Sequence, residues 1–181
     1  MNIWLNIALF QIGWFACVLG AAYGMPWIGT AIALVVVAIH LYLAPQVRNE
    51  GLLILFAAVF GFIADTILLR GGWLEFTYGT LVPGAAPHWM VALWMIFATT
   101  LNVSMNWLKI SSLLAVVFGA VGGPLAYYAG ARLGALTLTE PVNALAAVGV
   151  VWALAMPLLL LVANRFNGTV RPKQVNEAGY V

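Results

Sequence analysis

Apolar residues run along this chain in long unbroken blocks, and charged side chains appear only near the ends of those blocks. None occurs within residues 1–46, 51–64, 76–108, 110–131 or 141–164. The blocks are continuous rather than alternating, as in AIALVVVAI and LAMPLLLLVA. A membrane barrel would need segments of about ten residues with alternating polarity. A helix crossing a hydrocarbon slab of roughly 30 Å needs about 20 apolar residues, which is what the blocks supply. The first block is too long for one such helix, since at 1.5 Å per residue it would reach roughly 70 Å. It folds back at Gly24, Met25 and Pro26, because glycine accepts the turn and proline fits the first position of the following helix. The pattern predicts helices at 4–23, 26–44, 52–69, 89–108, 112–133 and 141–163. A polar tail over 165–181 follows the domain of 1–164, and 71–87 is the longest internal connection.

Composition fixes the solvent. Hydrophobic residues make up 65% of the chain and charged residues 7%, against about 25% charged in a soluble domain. So little charge cannot cover a water-facing surface, and the expected fold class is an all-α membrane protein, a bundle of six transmembrane helices. A net charge of +2 gives no reason to expect nucleic acid as a partner; membrane lipid is the expected one. The N-terminal segment lacks the basic stretch that opens a signal peptide, so it is expected to be retained. Six spans put both ends on one side, together with Arg48, Lys109, Arg165, Arg171 and Lys173, and leave Arg70 and Arg132 opposite. The positive-inside rule then makes the termini cytoplasmic. Cys17 stands alone inside an apolar run, so no intrachain disulfide forms, and it reads as a packing residue.

Polar side chains inside the blocks are the candidate chemistry. Counting 1.5 Å per residue from the cytoplasmic ends places Gln11, His40 and Asn102 roughly 6 to 10 Å deep, with Asn106 nearby. Unpaired polar groups facing lipid cost several kcal/mol, so these are expected to point inward as one layer. His88, Ala92, Met95, Thr99, Asn102 and Asn106 recur at steps of four and three, which makes them the expected inner stripe of the fourth helix. Such groups either fasten helices to one another or bind a ligand.

Asp65 lies deeper, at the level of Pro124 and Tyr127. A carboxylate inside a membrane is costly and calls for a partner. Arg132 is the first candidate, with Tyr128 one turn below it; Arg70 or simple protonation are the alternatives. Gly119, Gly123 and Gly130 mark a close-packing face of the fifth helix, and Pro124 removes a backbone donor there and is expected to bend it. The ligand-binding candidates are therefore Asp65, His88, Met95, Thr99, Asn102, Tyr127, Tyr128 and Arg132, around a cavity expected between the third, fourth and fifth helices.

The blocks FGFIADTILLRGG, ALWMIFATTLNVSMNWL, FGAVGGPLAYYAGARLGAL and WALAMPL resemble those of an uncharacterised family of bacterial inner-membrane proteins, domain of unknown function 2878. The resemblance implies a small polytopic inner-membrane protein in functional association with enzymes that modify fatty acids. It carries Asp65, Asn102, Pro124, Tyr127 and Arg132 over as site positions. It supplies no activity.

Three functions remain open. The chain binds or handles a lipid or small amphiphile; or it modifies lipid, with Asp65 as general acid or base and Arg132 or Tyr127 holding a headgroup; or it is a small proton-coupled transporter with Asp65 as carrier. Zinc hydrolysis is disfavoured, because it wants three protein ligands and the two histidines belong near opposite membrane faces. No Gly-x-Ser-x-Gly elbow is present, and no cofactor is called for. The oligomeric state, a homo-oligomer included, is left open.

Overall fold

The computed structural model describes residues 1–170. Arg171, Lys173 and most of the tail expected over 165–181 lie outside the described residues. The architecture is all-helical: α1 Ile3–Ala22, α2 Pro26–Leu43, α3 Val47–Arg70, α4 His88–Leu101, α5 Ser112–Arg132 and α6 Pro141–Arg165. A short 3-10 helix covers Asn106–Ile110, and two-residue strands β1 (Leu74–Glu75) and β2 (Thr137–Leu138) pair antiparallel. Five helices are long and apolar enough to cross a membrane. The other, α4, has 14 residues and reaches about 21 Å.

Local chemistry sets the ends. Asn2 accepts from the amide of Trp4 at 2.9 Å to start α1, and Gly24 turns the chain at a φ of 73° before Pro26 opens α2. Ser111 accepts from the amide of Leu114 to start α5. Two boundaries differ from the sequence pattern. α3 starts at Val47 rather than 52, because the polar run after Pro45 is the first turn of the helix, where Glu50 complements the positive end of the helix dipole. α4 stops at Leu101 rather than 108. Thr99 and Thr100 turn their hydroxyls back onto the carbonyls of Ile96 and Phe97, both at 2.6 Å, and Asn6 takes the carbonyl of Thr99 and the amide and hydroxyl of Ser104. Side chains that compete for the backbone in this way end helices.

α4 is the centre of the structure. It packs on α1, α2 and α3, and on α6 to a lesser extent, and Trp89, Met90, Trp94, Ile96, Phe97 and Leu101 are buried around it. The single inner stripe expected for this helix is therefore replaced by burial on nearly every side. The hairpins α1–α2 and α5–α6 flank it. Close approach needs glycine at two crossings: a Cβ on Gly29 would lie 2.4 Å from the Cα of Cys17, and one on Gly119 would lie 2.2 Å from the carbonyl oxygen of Trp152. Cys17 is fully buried. α5 remains helical through Pro124. Large apolar side chains such as Leu55, Ile67, Leu125 and Leu154 point outward, as a lipid-facing surface requires.

At one end the connections are stitched together. β1 and β2 tie the α3–α4 loop to the α5–α6 loop, and the hydroxyl of Thr139 donates to the carbonyl of Gly72. Arg70 donates to the carbonyl of Gly84, and Thr66 accepts from the amide of Ala86. The segment 71–87 is thereby folded back over the bundle end.

Candidate functional site

Asp65 is fully buried in α3, and its two oxygens have separate donors. The indole Nε1 of Trp94 donates to Oδ2 at 2.7 Å, and the hydroxyl of Tyr127 donates to Oδ1. The geometry depends on Gly61, one turn before Asp65 on the same face. A Cβ there would sit 2.0 Å from Cγ of Trp94. Glycine thus makes the recess in α3 across which the indole lies, and Asp65 receives its N–H. No cation lies within ion-pair distance of Asp65 among the described residues.

Trp94 and Tyr127 form part of the wall of a cavity of about 330 Å³ between α1, α4, α5 and α6. Phe10, Trp14, Phe97 and Trp152 are among its other aromatic lining residues, and Gly122, Gly123 and Ala126 are among those contributed by α5. Trp94 and Trp152 stack at 4.5 Å between centroids with 13° between planes. Asp65 does not line the cavity. It stands behind the wall and fixes the orientation of two of its rings.

The remaining sequence candidates fall in four places. Arg132 and Tyr128 are exposed on the outer face of α5, so the expected Asp65–Arg132 pair is not formed. Tyr127 and Tyr128 are adjacent on a helix and point in different directions; Arg132, one turn on from Tyr128, shares that outer face. Arg70 is also engaged elsewhere, at Gly84. His88 and Met95 line a separate cavity of about 250 Å³ with Thr30 and Phe62. His88 is held there by Thr30 at 2.7 Å and by stacking on Trp27. Thr99 is buried and spends its hydroxyl on its own helix. The site cavity lies between α1, α4, α5 and α6, not between the third, fourth and fifth helices as expected.

The glycine face of α5 packs on α6 through Gly119 and Gly123, where a Cβ on Gly123 would lie 2.3 Å from Trp152. Gly130 instead faces Leu136 of the following loop. Pro124 borders Gly149 of α6, with the freed carbonyl of Ala120 beside it.

A family model described as "Protein of unknown function (DUF2878)" matches residues 3–158. The chain belongs to this family. No curated protein matches it. No solved structure matches it either. The DUF2878 match takes in Gly61, Asp65, Trp94, Tyr127 and Trp152, so every residue that builds the wall lies inside the family region.

This DUF2878 chain also has a buried acid that the sequence pattern assigned to a connection. Glu50 is fully buried at the start of α3. Its Oε2 meets Nε2 of His40 at 2.7 Å, and its Oε1 accepts from Nδ2 of Asn102 at 2.7 Å and from the amide of Gly168 at 2.8 Å. Lys109 donates to Oδ1 of Asn102 at 2.6 Å. Burial pulls the ammonium of Lys109 below its ordinary range, and the charge of Glu50 pushes it back up. The expected layer of Gln11, His40, Asn102 and Asn106 is therefore revised: His40 and Asn102 belong to it with Glu50 and Lys109, whereas Gln11 and Asn106 are exposed. Gln11 borders the aromatic cavity. Asn106 is displaced because α4 has already ended. Among the described residues no three His, Cys, Asp or Glu side chains gather closely enough to hold a metal ion.

Proposed function

We propose that this member of the DUF2878 family is a multi-pass protein of a bacterial inner membrane that takes the apolar part of a lipid or small amphiphile into the cavity between α1, α4, α5 and α6. The observation that carries the reading is the lining itself: stacked and edge-on aromatic rings on one side, the small residues of α5 on the other. A cavity of about 330 Å³ falls within the roughly 300–1,000 Å³ usual for ligand pockets. Its few polar groups suit a chain or ring system rather than a charged headgroup. Asp65 acts as a positioning residue: with both oxygens taken by Trp94 and Tyr127, it holds the wall and does not meet the ligand.

In this reading the chain crosses the membrane six times with both termini cytoplasmic. The short α4 serves as the central crossing because the irregular backbone after Leu101 is covered by Asn6, Glu50 and the chain leaving α6. Non-helical backbone is tolerated at membrane depth where protein encloses it.

Gly122 supplies the test. Beyond its Cα there is open space, with only Phe118 of its own helix within reach at 3.7 Å, so Gly122→Leu fills the cavity without displacing backbone. Lipids extracted from the purified protein are quantified by mass spectrometry. The expected result is a stoichiometric lipid in the parent protein and its loss in Gly122→Leu at an unchanged melting temperature. Equal lipid content in both proteins overturns the reading.

A further inference from the structure

The cavity between α1, α4, α5 and α6 has a mouth. α1 packs on α2 and α4, and α5 packs on α6, whereas α1 and α5 hardly touch although both line the cavity. Of the lining residues, Gln11 and Phe15 are exposed, and they stand one turn apart on α1. Phe118, Gly122 and Ala126 repeat at the same spacing on α5 and are half-buried. Gln11 lies about 12 Å from the start of α1, close to the middle of a helix about 30 Å long. In a chain that crosses the bilayer, the gap between these two rows therefore opens sideways into the acyl chains.

An amide at that depth is out of place. Within α1, only Asn6 hydrogen-bonds through its side chain among the described residues. The amide of Gln11 and the indole N–H of Trp14, on the same face, are left free. An unpaired amide in hydrocarbon is costly. On α6, Nε1 of Trp152 is buried and meets no acceptor among the described residues. The other hydrogen-bonding groups of the lining are spent: Trp89 donates to the carbonyl of Tyr78, and Trp94 and Tyr127 donate to Asp65. No charged side chain lines the cavity. The lining thus holds a surplus of N–H donors and nothing to neutralise a charge.

We propose that the ligand enters sideways between α1 and α5 and is an uncharged lipid whose carbonyl oxygen accepts from Gln11 at the mouth. Trp14 supplies a second N–H beside it. This rests on the reading of the cavity as a lipid site, and it narrows the ligand to neutral esters and ketones. A carboxylate or phosphate would bring a charge with no cation to meet it. A bare hydrocarbon would leave Gln11 unpaired. A neutral lipid has no charged headgroup to hold it at the membrane surface, so its carbonyl can sink to the depth of Gln11.

Native mass spectrometry of the full chain, freed of co-purified lipid in mild detergent, tests this with probes of one chain length: methyl oleate, octadecene, and oleate in alkaline buffer. Methyl oleate is expected to bind roughly tenfold more tightly than octadecene, the weight of one hydrogen bond within a membrane. Oleate should bind less tightly than the ester. Gln11→Leu puts an ordinary apolar residue at an exposed position and should bind ester and hydrocarbon alike. Equal binding of ester and hydrocarbon by the parent protein, tighter binding of oleate than of the ester, or an unchanged preference in Gln11→Leu overturns the proposal. So does a parent dimer that falls to a monomer in Gln11→Leu, because a second copy of the chain then satisfies the amide. Gly122→Leu separates this failure from that of the underlying reading. Where the parent takes up ester and hydrocarbon equally and Gly122→Leu takes up neither, the cavity holds lipid and the role of Gln11 alone has failed. Where Gly122→Leu takes up as much of every probe as the parent, the cavity reading fails with it.

Discussion

Two buried carboxyl groups lie near opposite ends of α3, and they are satisfied in opposite ways. Asp65 takes its hydrogen bonds from an indole and a phenol, both neutral and both part of a cavity wall. Glu50 takes its bonds from an imidazole, an amide side chain and a backbone N–H, with an ammonium one step behind. A carboxyl group held by aromatic donors organises rings. One held by an imidazole, an amide side chain and a backbone N–H organises chain segments. The same functional group thus acts as a wall bracket at one end and as a fastening at the other.

The difference is sharpened first by removing each acid. Glu50→Ala leaves His40, Asn102 and the amide of Gly168 without the carboxyl they meet, and each buried polar group so stranded costs about 1–3 kcal/mol. Denaturant unfolding in mild detergent should show the largest loss of stability here. Asp65→Ala leaves two neutral donors unpaired, at a cost of about 2–3 kcal/mol. Adding Tyr127→Phe to it should recover part of that loss, since removing both partners of a hydrogen bond is nearly neutral. If the double variant is instead less stable than Asp65→Ala, the bracket assignment is wrong. At the small end, Arg132→Gln should change stability by no more than about 0.5 kcal/mol, as exposed substitutions do. A loss of several kcal/mol would revive an ionic partner for Asp65.

Much of this was written in the chain. Charge-free blocks bounded by proline and glycine marked α1, α2, α5 and α6 to within a residue or two at each end, because hydrophobic length alone defines such helices. The end of α4 was harder to read. Thr99, Thr100, Asn102 and Ser104 sit inside an apolar run, and only their habit of bonding to the backbone marks a stop. Counting depth brings Asp65 and Tyr127 to one level, yet depth carries no azimuth, and Arg132 turns away from the carboxylate that depth alone assigns to it. In the sequence Trp94 is one apolar residue among many in its block. Its signal lay on another helix, in a glycine one turn before a buried acid. Glu50 left a trace too: it and His40 flank Pro45 at similar distances, which puts them face to face across the α2–α3 turn.

The stacked pair Trp94 and Trp152 has one more consequence. Two nearly parallel indoles with centroids 4.5 Å apart are coupled chromophores, so their combined near-ultraviolet ellipticity reports the angle between them. Anything that wedges the rings apart, or re-aims one by loosening Asp65, alters that signal. The chain therefore contains an intrinsic optical gauge at the very surface a guest would touch, readable without dye or label.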